Sequence, residues 1–266
     1  MKLKISDEFD LAKIKDSGQA FRISCDENDV YRFITKDKCL YIKKLSGNEY
    51  DLSCERDEWD NVWHDYFDMD RCYADIRKTA DDPYMKAAAD FGEGIRILKQ
   101  DPFETLISFI ISQRKSIPLI ERSVELICQN FGEKIDGGKV FAFPSRKALA
   151  EADPELLAKC SLGYRLPYVR QAAERALAGE ILDGWEELSD EDLFKSLLKI
   201  YGVGIKVANC TELFGFGRTG RAPVDVWIQR VMDTHYGGEN PFPPYGENAG
   251  IMQQYIFYHA RYNKED

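Results

Sequence analysis

A chain of 266 residues, 44% hydrophobic and 31% charged, is long enough for a sizeable core in one large domain or two modest ones, and its composition is that of an ordinary soluble globular protein. The net charge of −10 argues weakly against a nucleic-acid partner, and no apolar run approaches the ~20 residues of a membrane span. The opening MKLKISDEFDL has two lysines but no apolar block behind them, so no secretory signal is expected. The seven cysteines (25, 39, 54, 72, 128, 160 and 210) are scattered, odd in number and without a C-x-x-C pair. They fit free thiols in a reducing cytoplasm, not a disulfide frame or a zinc site. His64, His235 and His259 lie far apart, so no metal site is expected.

In chain order, residues 20–52 read as strands. FRISC, VYRFITK and CLYIKKL are short, rich in aromatic and β-branched residues, and separated by the polar turns DENDV and KDK. Their alternation predicts an antiparallel sheet with one wet face. Residues 51–70 carry eight acids against one base and read as a solvated acidic face. From about residue 60 the pattern turns helical and stays so. Asp101-Pro102-Phe103-Glu104 supplies an N-cap, a proline at the first helical position and a capping-box acid ahead of LISFIIS. Ser145, Asp153 and Ser189 stand as N-caps before RKALAEA, PELLAKC and DEDLFKSLLKI. The expected architecture is α+β and predominantly α, with a small N-terminal antiparallel sheet domain over 1–80 packed on a large helical body over 81–266.

The chemistry-bearing segment is 197–236. Between 195 and 235 six bases face three acids, so a locally basic face coexists with the acidic one, and phosphate contact depends on the local field. A helix is expected to end near Ile200, Tyr201-Gly202-Val203-Gly204 to turn, and a second helix to begin near Ile205. Glycines permit the sharp turn. The unpaired N–H groups of the second helix then suit a phosphate. This is a helix-hairpin-helix near 191–215, a sequence-independent grip on a DNA backbone. Taken alone, G-V-G is no more than a turn between helices. Its surroundings change that. Lys206 falls in the first turn of the second helix, where the positive end of the dipole disfavours an ammonium group, as an amine nucleophile requires. Nineteen residues on, Asp225 in PVDV reads as the N-cap of the amphipathic VWIQRVM.

GVGIKVANC followed by PVDVW resembles the hairpin and Gly/Pro-Asp signature of the helix-hairpin-helix DNA glycosylases. GIRILKQDPFETLISFIISQ (94–113), LGYRLPYV (162–169), SGQAFRI (17–23) and AGIMQQYIF (249–257) resemble, in the same order, the 8-oxoguanine DNA glycosylase/lyase branch. That resemblance touches most of the chain. It implies that Lys206 attacks C1′ of the damaged nucleotide, forms a Schiff base and nicks the strand by β-elimination. Asp225 would stabilise positive charge on the sugar as well as cap its helix. The target base must leave the stack. By resemblance Gly18 accepts a hydrogen bond from N7–H of 8-oxoguanine, Gln253 reads the base edge, and Phe257 and Cys210 close the two faces of the pocket. Tyr164 and Arg165 would enter the duplex, and Gly202, Gly204, Arg114 and Trp227 would meet DNA.

The implied partner is double-stranded DNA containing 8-oxoguanine, bound by a monomer inside the cell. No cofactor is required, and the hairpin carbonyls are a candidate seat for a monovalent cation. Trp227 replaces a familiar histidine near the phosphate, Gln113-Arg114-Lys115 replaces an asparagine-rich stretch, and Leu119 replaces an arginine at the partner base. A weaker preference for cytosine across the lesion is therefore expected. The alternatives are a glycosylase of this superfamily acting on another damaged base, and a non-catalytic hairpin module. Iron–sulfur branches carry four clustered cysteines after the hairpin, but no cysteine follows Cys210, and alkyl-base branches commonly lack the lysine. A bare binding module would account for Gly202 and Gly204 but not for the pairing of Lys206 with Asp225.

Overall fold

The computed structural model describes residues 1–263. A five-stranded antiparallel sheet, order β1-β5-β4-β3-β2, is built from β1 (Lys2–Lys4), β2 (Ser24–Cys25), β3 (Tyr31–Thr35), β4 (Lys38–Ser46) and β5 (Glu49–Leu52). Phe33 pairs with Leu40 and Ile42 with Leu52. These four are buried, so the pleat puts one face in the core; the other is not the uniformly wet face expected, since Ile34 on it is also buried and Tyr41 donates Oη to Asp136 at 2.8 Å. Three further details differ from the sequence expectation. β1 and the short helix Leu11–Asp16 precede the expected strands; both are too brief to show a period. Only Ser24 and Cys25 of FRISC pair in the sheet, because Phe21 turns to the helical core and packs edge-on against Phe109 with ring centroids 5.4 Å apart. The helical body is also interrupted by a two-stranded ribbon, Lys134–Ile135 with Val140–Phe141, turning through Asp136-Gly137-Gly138. Its strands are too short for alternation to register, although an Asp-Gly-Gly turn signal was present.

The expected caps form. Asp101 accepts from the N–H groups of Phe103 and Glu104, Ser145 from Ala148, Asp153 from Glu155 and Leu156, and Ser189 from Asp192. Glu104 does not reach back to close a capping box. Its carboxylate faces the buried Arg22 at 3.5 Å, an ion pair that links sheet-side residues to the body.

Two hydrophobic cores result. One gathers Ile5 to Phe67 of the sheet layer together with Leu98; the other gathers the helices from Tyr73 onward together with Phe21. Arg96 fastens them. Its guanidinium is fully buried, bonds the carbonyls of Phe67, Glu8, Asp68 and Arg71, pairs with Asp7 at 2.8 Å and lies 4.2 Å from the Tyr73 ring centroid. A buried charge survives only with such full pairing. No helix among the described residues is long and apolar enough to cross a membrane.

Candidate active site

The helical hairpin forms as expected. Helix Asp190–Leu198 ends in a turn at 199–204, and the second helix, Ile205–Cys210, continues as a π-helical turn over Thr211–Gly215. Gly202 has φ +83, and a β-carbon there would lie 2.3 Å from Cγ of Tyr168. Gly204 is extended at φ −102 and faces open space. The first turn of the second helix has no side-chain cap, so its N–H groups are available to an anion.

Two substitutions separate these roles. Gly202→Ala combines left-handed backbone with a clash and is expected to cost about 1–2 kcal/mol or more, lowering the melting temperature. Gly204→Ala is expected to leave melting nearly unchanged and to weaken duplex binding, because its methyl group would occupy the approach to those N–H groups. Equal melting losses in the two variants would refute the distinction.

Lys206 is half-buried, with Nζ 4.8 Å from the centroid of Phe109. Phe109 is itself stacked on Phe214 at 5.6 Å. In the sequence Phe109 is one residue of an apolar run behind a helix cap; the floor beneath the amine is legible only once the helices are packed. Cys210, one turn on, is buried, and burial pushes its thiol up while the positive charge of Lys206 partly opposes this. Asp225 begins helix Val226–His235, its Oδ1 accepting from the N–H groups of Trp227 and Ile228 at 3.0 Å each. Lys206 and Asp225 line one cleft of ≈ 880 Å³ together with Gly18, Phe257, Arg114 and Trp227.

A tighter recess off this cleft brings Gly18, Lys206, Cys210, Asp225, Gln253 and Phe257 together. Gly18 has φ +72, and a β-carbon on it would stand 3.2 Å from Cε1 of Phe257, so any side chain at this position would crowd the ring. Gln253 and Phe257 share a face of helix Ala249–Tyr262. Gln254 Nε2 donates to Gln253 Oε1 at 3.2 Å, orienting that amide.

Gln19 holds Gly18 in place, a role sequence reading missed. Fully buried, it donates to Ser17 Oγ and the Arg96 carbonyl at 2.8 Å each and accepts from Leu98 N–H at 2.7 Å. A glutamine beside a glycine gave no period or motif of its own to betray it.

At the rim, Tyr164 is exposed and Arg165 is not. Arg165 stacks 4.3 Å from the Tyr164 ring centroid and gives Nε to the Gln113 carbonyl at 2.8 Å, with Nη2 on the same oxygen. In this structure only the tyrosine projects; the guanidinium of Arg165, expected by resemblance to enter the duplex, is committed to the end of helix Pro102–Ser112. Gln113 in turn donates Nε2 to the Gly202 carbonyl at 3.0 Å, tying that helix to the hairpin. Lys115 is bound to Ser123 Oγ and the Ser161 carbonyl, which leaves Arg114 as the exposed member of the trio, in left-handed backbone at φ +51. Leu119 is 53% exposed and Trp227 36%. Among the described residues no group of three or more His, Cys, Asp or Glu could hold a metal ion.

Comparison with known proteins gives the family. Residues 2–106 match the family model "8-oxoguanine DNA glycosylase, N-terminal domain", and residues 107–247 match "HhH-GPD superfamily base excision DNA repair protein". The chain is 34% identical over 230 residues to a probable N-glycosylase/DNA lyase of Methanothermobacter thermautotrophicus, covering 73% of this chain and 72% of that protein. It is 31% identical to the N-glycosylase/DNA lyase of Saccharomyces cerevisiae, covering 79% of this chain and 57% of the yeast protein. The Clostridium acetobutylicum 8-oxoguanine glycosylase/lyase, solved with double-stranded DNA containing cytosine opposite 8-oxoG, superposes with a TM-score of 0.89 at 34% identity, covering 99% of this chain and 98% of that one. The chain therefore belongs to the HhH-GPD superfamily of base excision DNA repair proteins, among the N-glycosylase/DNA lyases that carry an 8-oxoguanine glycosylase N-terminal domain.

Proposed function

We propose that this protein binds double-stranded DNA as a monomer inside the cell, flips out and excises 8-oxoguanine, and nicks the strand through a lysine Schiff base. The observation that carries the reading is the recess in which the Lys206 amine, the Asp225 carboxylate and the set Gly18, Gln253, Phe257 and Cys210 converge. In this reading the Nζ lone pair bonds to C1′ as the C1′–N9 bond breaks; that electron pair leaves with the purine, which takes up a proton. Nζ then loses one proton, its lone pair opens the C1′–O4′ bond with O4′ protonated, and a protonated Schiff base forms. Removal of a C2′ proton expels the 3′-phosphate. Asp225 offsets the positive charge that develops on the sugar. The neutral Cys210 thiol packs against the base without competing as a nucleophile. Gly18 separates damaged from normal guanine, because N7 bears a proton only in the oxidised base and a buried carbonyl left without that donor is costly.

Borohydride added during reaction with an 8-oxoguanine duplex is expected to trap a covalent protein–DNA complex. No trapping with 8-oxoguanine, but trapping with another lesion, would transfer the reading to a different damaged base; no trapping with any would leave a binding module. The opposite base is expected to matter little. Arg165 is folded onto Gln113 and Leu119 offers no polar group, whereas a good bidentate contact would discriminate by about 1–3 kcal/mol. Excision rates with the four partner bases are expected to lie within about ten-fold of one another; a hundred-fold preference for cytosine would refute this.

A further inference from the structure

We infer that Glu212 and Arg221 form a positioning element that sets the loop ending in Asp225 against the helix bearing Lys206. The inference rests on the Lys206–Asp225 chemistry proposed above. Glu212 lies six residues after Lys206 on the continuation of the second hairpin helix and is fully buried. Its Oε2 is 3.1 Å from Nε of Arg221, yet neither carboxylate oxygen nor that Nε has a hydrogen bond of good geometry. A buried pair of this quality is a poor source of stability, since apolar residues of the same volume serve as well or better.

Its position suggests another use. The Glu212 carbonyl accepts from the N–H groups of Arg218 at 2.9 Å and Phe216 at 3.2 Å, starting the loop. On the loop's other side, Gly250 N–H donates to the Thr219 carbonyl at 2.7 Å, and a β-carbon on Gly250 would lie 2.4 Å from the Arg221 carbonyl oxygen. The Arg221 main chain is thus pressed on the helix carrying Gln253 and Phe257, while its side chain reaches the helix carrying Lys206. Asp225 follows four residues later. Sliding of either helix would move the carboxylate relative to the amine, and small misplacements of reacting groups are expensive.

The charged groups facing Glu212 are Arg221 and Arg218 from the loop and Asp190 from the first hairpin helix. Arg218 is held in turn by the Glu186 and Leu188 carbonyls and by Asp190 at 3.4 Å. Burial pushes the Glu212 carboxyl up to about 7 against the pull of Arg221. A raised carboxyl favours the folded state below the ordinary carboxylate range, and that contribution is lost as pH rises through about 7. The charged form therefore costs stability at alkaline pH while it anchors the loop.

Glu212→Gln keeps shape and removes charge. Near pH 8 the variant is expected to melt no lower than the parent protein, to bind duplex bearing a tetrahydrofuran abasic analogue as tightly, and to excise 8-oxoguanine about ten-fold or more slowly in single turnover. The ratio of parent to variant rates is expected to shrink as pH falls through about 7, a ratio in which titration of other groups cancels. Arg221→Met is expected to reproduce the loss near pH 8. A ratio near one at pH 8, a ratio independent of pH, or a loss of rate matched by loss of melting temperature and binding would each overturn the inference. Trapping by the parent protein that survives Lys206→Gln would instead overturn the underlying chemistry, and so the two failures are distinguishable.

Discussion

Lys206→Gln is expected to abolish borohydride trapping and to lower single-turnover excision by about 10³-fold or more, a barrier increase of about 4 kcal/mol. The substitution should be structurally mild. Lys206 is half-buried and in the first turn of its helix, whose N-cap is Gly204 without a side-chain bond. What is lost in packing is a cation–ring contact with Phe109 at 4.8 Å, worth about 0.5–1 kcal/mol at such a site. The N–H groups at the start of the helix are unchanged, so affinity for a duplex with an abasic analogue should hold. Nor can a neighbour substitute. Cys210 is the adjacent nucleophilic atom, but burial pushes its thiol up, and the neutral thiol is a poor nucleophile. A trapped complex of normal yield from the variant would show that another amine performs the attack, and loss of binding together with rate would show that the lysine serves the grip.

Much of this site was legible because its parts are local. Lys206 and Cys210 lie one turn apart, as do Gln253 and Phe257, and helical spacing alone puts each pair on one face. The caps, from Asp101 to Asp225, were readable for the same reason: residue type and the next three positions decide them. The parts that were not legible depend on long-range packing. Phe109 was one apolar residue in an apolar run until the hairpin helix was laid over it. Gln19 acts through partners at Arg96 and Leu98, far along the chain. Arg165 has the side chain of a duplex-entering residue, but the Gln113 carbonyl, 52 positions away, decides where it points. The sheet followed the same division: the pairing of β3 with β4 announces itself by alternation and a tight turn, whereas β1 pairs with β5, its neighbour in the sheet but remote along the chain, and leaves three residues with no pattern.

Asp225→Asn is expected to lower excision by about 10²–10³-fold with little change in folding, and the comparison with Asp225→Ala gives the result its meaning. Two roles are combined in this carboxylate. Its Oδ1 accepts from the N–H groups of Trp227 and Ile228 at 3.0 Å each, which is capping; its position in the recess beside Lys206 is electrostatics. Asparagine caps a helix about as well as aspartate, so Asp225→Asn removes the charge and keeps the geometry. Alanine removes both and should cost about 1 kcal/mol of stability in addition, a fall of roughly 2–4 °C in melting temperature for a chain of this size. The lost rate in the asparagine variant would correspond to about 2.7–4 kcal/mol of transition-state stabilisation, more than the interaction of one charge with a helix terminus provides. Single-turnover rates and melting curves of the two variants decide the matter. If Asp225→Asn excises at the parent rate and only Asp225→Ala is slow, Asp225 acts as a cap that places the helix, and the charge that meets the sugar must come from elsewhere in the cleft.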